Sequence, residues 1–405
     1  MQRNGMHPAA PDGRARALPG VPRDAYHNTH HHNYLTSEFE AGGAPLVARR
    51  LPFLSPASLH GSRWAQVSDP ASPALHRPRA IESAPVTNPE RDGAGPGRRV
   101  LLFFIDGIGV GGDDPDTNPL ATGEFPTLRL TKSLHPDSSA GPPAMAHGLD
   151  ASLGVPGLPQ SATGQTSILT GVNAPAAMGR HISGFPGPTL RKILTEHSIL
   201  KVLREGGLDA TFLNAFGPRF FETPETARRL SATTLATLAS GARFRDWTDL
   251  AAGRAVVHDL THWRMREWGY DLELRTPEEA GAIIAREASR ADFSLFEYFE
   301  TDRAGHDQDR TRAMRCLGDL NRALETVLTT VDLATTTVIV ASDHGNLEDG
   351  AVRTHTTNPA IFAAWGVGAV EAARDPERVP ARLTDLAPMI LRALRRGGDG
   401  ATSTA

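Results

Sequence analysis

Three short stretches of the chain are apolar without interruption, and each stops abruptly on polar residues. Val100 to Ile105 in "RRVLLFFIDGIGVGG", the centre of "DFSLFEYFE" and Thr336 to Ala341 in "TTVIVASDHGN" have the length of strands but not the alternation of half-exposed ones. They predict strands buried on both faces, as in a parallel sheet. Around them, apolar positions recur at helical spacing. "GPTLRKILTEHSILKVLREGG" predicts a helical run with a glycine stop. "TPEEAGAIIAREASR" predicts a helix over about 277–290, opened by a threonine cap, a proline in the first turn and acidic residues. From about 308 to 331, Ala313, Leu317, Leu320, Leu324, Val327, Leu328 and Val331 form a further helical stripe, with Cys316 beside it as core packing. Helices alternating with buried strands predict an α/β fold, a mostly parallel sheet sandwiched by helices.

Residues 1–97 follow no such pattern. They are dense in Pro, Gly, Arg, Ser and His and predict a disordered low-complexity tail, including the cluster "HNTHHHN" with His27, His30, His31 and His32. In a chain of 405 residues, 40% hydrophobic content is enough for a sizeable core. The net charge of −4 provides no basic footprint, which argues against nucleic acid and against a polybasic membrane anchor. A single cysteine, Cys316, excludes an internal disulfide framework and fits a reducing compartment. The N-terminal residues lack the apolar segment of a secretory signal, and no run of about 18 apolar residues occurs. These features predict a soluble, cytoplasmic protein without a membrane partner.

The polar residues that end the strands carry the chemistry. Asp106 follows the first strand, the segment containing Asp302 follows the second, and Asp343 with His344 follows the third. In open α/β sheets that edge is where ligands bind. Asp302 and His306 stand four apart in "DRAGH", so one helical turn aims both at a single point, and His355 in "RTHTTNPA" lies just downstream of the third strand. Ser161, in "LPQSATGQTSILTG", precedes a short helix whose N–H groups suit an anion. Singly, each is a turn former, cap or packed side chain. Together they predict a metal site with a serine beside it.

"FIDGIGVGG", "QSATGQ", "DRAGH", "SDHGNLED" and "THTTNP", in this order, resemble the metal-binding motifs of the alkaline phosphatase superfamily. The branch is that of cofactor-independent phosphoglycerate mutase and phosphopentomutase. The resemblance implies an alkaline phosphatase-like metal-binding core from 98–177 and 291–395, with 178–290 as a small inserted α+β cap domain. It implies two divalent ions: Asp302, His306 and His355 for one, and Asp106, Ser161, Asp343 and His344 for the other. A mixed carboxylate and imidazole shell suits manganese first, with zinc or magnesium as alternatives.

Ser161 is the implied nucleophile, with Thr163 the alternative, and Gln165 stands where the branch has a histidine. Arg303 and Arg353 are candidate phosphate clamps, with Thr163 and Gln165 as further substrate contacts. Arg219, Arg228 and Arg229 are candidate contacts from the cap. The implied activity is two-metal phosphoryl transfer through a phosphoserine, as a phosphatase or phosphomutase on a small phosphorylated metabolite. The alternative is a non-catalytic, metal-binding regulatory pseudo-enzyme of the same fold. A sulfatase is set aside because no Cys- or Ser-x-Pro-x-Arg motif surrounds Ser161.

Overall fold

A computed structural model describes residues 97–223 and 229–395. The expected tail over 1–96, its histidines and Arg228 lie outside the described residues. Six strands form one mixed sheet: β1 (Arg99–Ile105), β2 (Met145–Leu149), β3 (Ala210–Phe212), β4 (Phe293–Tyr298), β5 (Thr336–Ala341) and β6 (Ala360–Trp365). Their order is β2-β6-β5-β1-β4-β3. β1 lies between β4 and β5 and runs parallel to both, with Phe103 opposite Phe296 on one side and Val340 on the other. β3 extends the parallel part beyond β4, whereas β6 is antiparallel to both β5 and β2.

The described helices used below are α1 (Ser161–Thr170), α2 (Pro188–His197), α3 (Ile199–Glu205), α4 (Ala232–Ser240), α5 (Pro277–Ala288), α6 (Glu300–Asp307), α7 (Arg310–Thr330) and α8 (Leu386–Leu394). Successive side chains of a strand point to opposite faces, and both faces of β1 are apolar. Leu101, Phe103 and Ile105 pack with Val338, Val340 and Phe296 under residues of α5 and α7. Val100, Leu102 and Phe104 pack with Phe293, Leu295 and Ile339 under residues of α1 to α4 and α8. Helices therefore cover both faces, and each fully buried Leu, Ile or Phe contributes roughly 1.5–3 kcal/mol.

The structure departs from the sequence pattern in two places. The helical run expected through 188–205 breaks at Ser198, whose extended backbone (φ −63°, ψ 139°) ends α2 and whose hydroxyl accepts the Lys201 N–H to cap α3. The segment 178–290, expected as an inserted cap, contributes β3 to the central sheet and α2 to α5 to its covering layers. Within it, Leu250, Val257 and Met265 pack with Trp247, Trp268 and Tyr270 as a small cluster of their own. No helix among the described residues is long and apolar enough to cross a membrane.

Candidate metal centre

Sheet topology brings the chemistry-bearing residues to one edge. β1, β4 and β5 are parallel, so Asp106, the Asp302 helix α6, and Asp343 with His344 all follow strand ends on the same side. β6 runs the other way, and His355, which precedes it, arrives at that edge too. β2 shares the direction of β5, so the loop after it also leaves there, and it leads to Ser161 at the start of α1.

Short backbone links then fix each ligand-bearing loop. Gly107 adopts a left-handed turn (φ 74°), and its N–H approaches Asp343 Oδ1 at 3.4 Å. A Cβ on Gly107 would sit 2.7 Å from the Asp302 carboxylate, so this close packing requires glycine. The Thr356 N–H donates to Gly345 O at 2.9 Å, which seats His355 beside His344, and the two imidazoles stack with centroids 3.7 Å apart.

At the centre, Ser161 Oγ lies 3.0 Å from His344 Nε2, which is itself 3.3 Å from Asp106 Oδ1 and 3.5 Å from Asp343 Oδ2. On the other side, Asp302 lies 3.5 Å from His306 Nε2 and 3.5 Å from His355 Nε2, and the two Nε2 atoms are 3.1 Å apart. The far ring nitrogens are tied to backbone carbonyls: His355 Nδ1 to Pro159 O at 2.7 Å and His306 Nδ1 to Arg353 O at 2.8 Å. With Nδ1 as the donor, each Nε2 turns its lone pair inward.

Three carboxylates meet here, and their ion-pair partners among the described residues are imidazoles alone. Asp106 Oδ1, Asp302 Oδ2 and Asp343 Oδ2 are buried and make no hydrogen bond. Burial, together with the charges of Asp343 and Asp302, pushes the Asp106 carboxyl well above the usual carboxylate range, and burial also raises Asp343. Burial acts the same way on Asp302, but the surrounding imidazoles of His355, His344 and His306, when protonated, hold it below that range. Unpaired oxygens and inward-facing imidazole nitrogens at such spacing are the donor set of a divalent cation. Among the described residues two groups meet that geometry, Asp106 with Asp343 and His344, and Asp302 with His344 and His355.

The sequence profile of the Metalloenzyme superfamily matches residues 98–396. The chain belongs to that superfamily. Among curated proteins, this metalloenzyme is similar to the 2,3-bisphosphoglycerate-independent phosphoglycerate mutase of Roseobacter denitrificans, 32% identical over 134 residues. That match covers 31% of this chain and 26% of the mutase. It is also similar to the same-named mutase of Desulforudis audaxviator, 32% identical over 133 residues, 31% of this chain and 25% of the relative. The chain thus spans about a quarter of the length of the curated relatives it matches. Among solved structures, the alkaline phosphatase of the Antarctic bacterium TAB5 aligns over 74% of this chain and 98% of that one, at 14% identity and a TM-score of 0.39.

The other expected site residues of the metalloenzyme are placed as follows. Gln165 is buried and donates from Nε2 to Asp106 Oδ2 at 3.1 Å, so its amide faces a carboxylate of the centre. Thr163 is fully buried within α1; its hydroxyl donates to Gln160 O and accepts the Ile182 N–H, so it is spent on backbone. Arg303 reaches back to Glu300 at 3.4 Å and lies over the Trp268 ring. Arg353, Arg219 and Arg229 are exposed.

Sequence reasoning missed Asn346 and Glu348, although both lie inside "SDHGNLEDG". Asn346 Nδ2 donates to Asp302 Oδ1 at 2.7 Å, and its own Oδ1 is buried without a hydrogen bond. The one available signal was an acid in a glycine-flanked loop with no basic residue beside it.

Proposed function

We propose that this metalloenzyme transfers phosphoryl groups through a phosphoserine at Ser161, acting as a phosphatase or phosphomutase on a small phosphorylated metabolite. The observation that carries this reading is the ring of hydrogen-bond-free carboxylate oxygens around the Ser161–His344 contact. Asp106, Asp343 and His344 would hold one divalent ion beside Ser161, and Asp302, His306 and His355 the other; the donor mixture favours manganese over magnesium. Bound there, such ions supply Lewis acidity, which lowers the pKa of a hydroxyl and neutralises charge on phosphoryl oxygens.

The chain's own residues do the rest. Ser161 Oγ gives up its proton and forms a bond to phosphorus as the bond from phosphorus to the leaving oxygen breaks, and the departing alkoxide takes up a proton, so none is gained or lost overall. The phosphoserine then passes its group to water or to a second hydroxyl of the substrate. Gln165 holds Asp106 in one orientation throughout, and the Ser161 and Ala162 N–H groups at the start of α1 would receive the phosphoryl oxygens, since that of Thr163 is taken by Ile182 O. A lone, buried Cys316 supports a reducing, cytoplasmic setting.

The test is purified protein with Mn²⁺ and p-nitrophenyl phosphate, then with phosphopentoses and phosphoglycerates. Phosphate release identifies a phosphatase and isomerised product a mutase. Ser161→Ala is expected to cut turnover by about 10⁴-fold or more while leaving most of the bound metal in place. Turnover retained in Ser161→Ala would end the covalent route. Tight metal binding with every substrate inert would establish the regulatory pseudo-enzyme instead.

A further inference from the structure

Glu348 belongs to neither group of candidate ligands, yet the residue is 2% exposed and its carboxylate accepts four hydrogen bonds. Oε2 takes the backbone N–H of Gly109 and of Asn346, each at 2.8 Å. Oε1 takes Thr356 Oγ1 at 2.5 Å and Asn358 Nδ2 at 3.0 Å. All four donors are neutral, and among the described residues no arginine, lysine or histidine forms an ion pair with it. Burying a carboxylate without a cation is costly unless its lone pairs are filled, and here they are. The backbone has been cleared to admit it: a Cβ on Gly109 would lie 2.6 Å from Oε1, one on Gly345 2.3 Å from Oε1, and one on Gly111 2.9 Å from Cγ.

The donors come from three different segments, and each segment carries ligands. Gly109 is in the turn that follows Asp106. Asn346 sits in the loop of Asp343 and His344, and its side chain holds Asp302 Oδ1 at 2.7 Å. Thr356 is covalently next to His355. One carboxylate thus holds three of the four segments that supply the two candidate groups, and Asn346 links it to the fourth, the Asp302 helix α6.

We infer that Glu348 is the positioning residue of the metal centre, setting the spacing between the Asp106–Asp343–His344 group and the Asp302–His355 group. This rests on the two-ion reading above. Glu348→Gln keeps the shape but turns one acceptor oxygen into an NH₂ group facing donors, so the three loops move apart while the core stays packed.

Binding of Mn²⁺ alone to chelator-treated protein is measured by titration calorimetry, at a temperature where circular dichroism shows parent and variant folded. The chelated Tm is recorded alongside. The parent is expected to bind two ions and Glu348→Gln to bind both about 10–100-fold more weakly. Thr356→Val removes a single donor and is expected to fall between, whereas Thr356→Ser keeps the hydroxyl and should match the parent. A lower chelated Tm with unchanged affinity would show a merely structural role and overturn the inference. If Glu348→Gln does not fold, equal affinities for Thr356→Val and Thr356→Ser overturn it on their own. A parent that binds no Mn²⁺ removes the two-ion reading itself, and this inference with it.

Discussion

Single side chains in this protein are defined by what they are denied as much as by what they touch. Asp319 on α7 is almost fully buried, and burial pushes its carboxyl from 3.8 up to about 6 despite Arg322 at 2.8 Å and Arg315 nearby, with Asp259 adding to the rise. The folded state therefore holds this proton more tightly than the unfolded chain. Its stabilising contribution is complete below about pH 4 and is lost as pH rises to about 6. Thermal melts from pH 4 to 7 should show Asp319→Asn removing a decline on the order of 2 kcal/mol across that interval. An identical slope in parent and variant would refute it. The candidate ligands were legible as a joint pattern, Asp and His falling at the end of every buried strand read from the sequence, although each alone is an ordinary turn former or cap. Glu348 and Asn346 were not, because a hydrogen-bonding role depends on which backbone N–H groups and side chains fold against them. Gln165 looked like a lost imidazole until its amide was placed on Asp106.

Among the elements, β1, β4 and β5 were legible because strands covered on both faces need uninterrupted apolar runs. The other three strands give weaker signals. β2 contains a glycine and a histidine, β3 has three residues, and the alanine-rich "AIFAAW" of β6 has the composition of a helix but lies between β5 and β2. Tertiary pairing overrides propensity there. Missing β6 also hid why His355 belongs to the site, since only an antiparallel strand returns it to the ligand edge. The packing of α5 on α7 makes a second point about magnitudes. Gly281 faces Ala323, and a Cβ would come 2.4 Å from its carbonyl oxygen. Gly281→Ala gains about 1 kcal/mol of helix propensity, but the steric conflict costs about 1–3 kcal/mol or more. Net destabilisation is expected in urea titration; a more stable variant would show that the two helices slide apart freely.

For the molecule as a whole, the expected α/β sandwich stands, and its covering layers draw on chain regions that the motifs leave unmarked. Three buried carboxylates with hydrogen-bond-free oxygens face one another, so an ion bound among them would stabilise the folded state over the unfolded chain. Each ion at a hundred times its dissociation constant contributes about 2.7 kcal/mol to the folded state. A strong chelator should therefore lower Tm by about 5–10 °C, and added Mn²⁺ should restore it. A melting curve indifferent to chelator would mean that the centre holds no ion.

The candidate ligands are spread from Asp106 to His355, and α8, whose Leu386 and Ile390 close the cluster around Val100 and Leu102, comes after all of them. Donors this far apart in the chain come together only when the sheet closes, so an ion bound among them would stabilise the packed fold and none of its fragments.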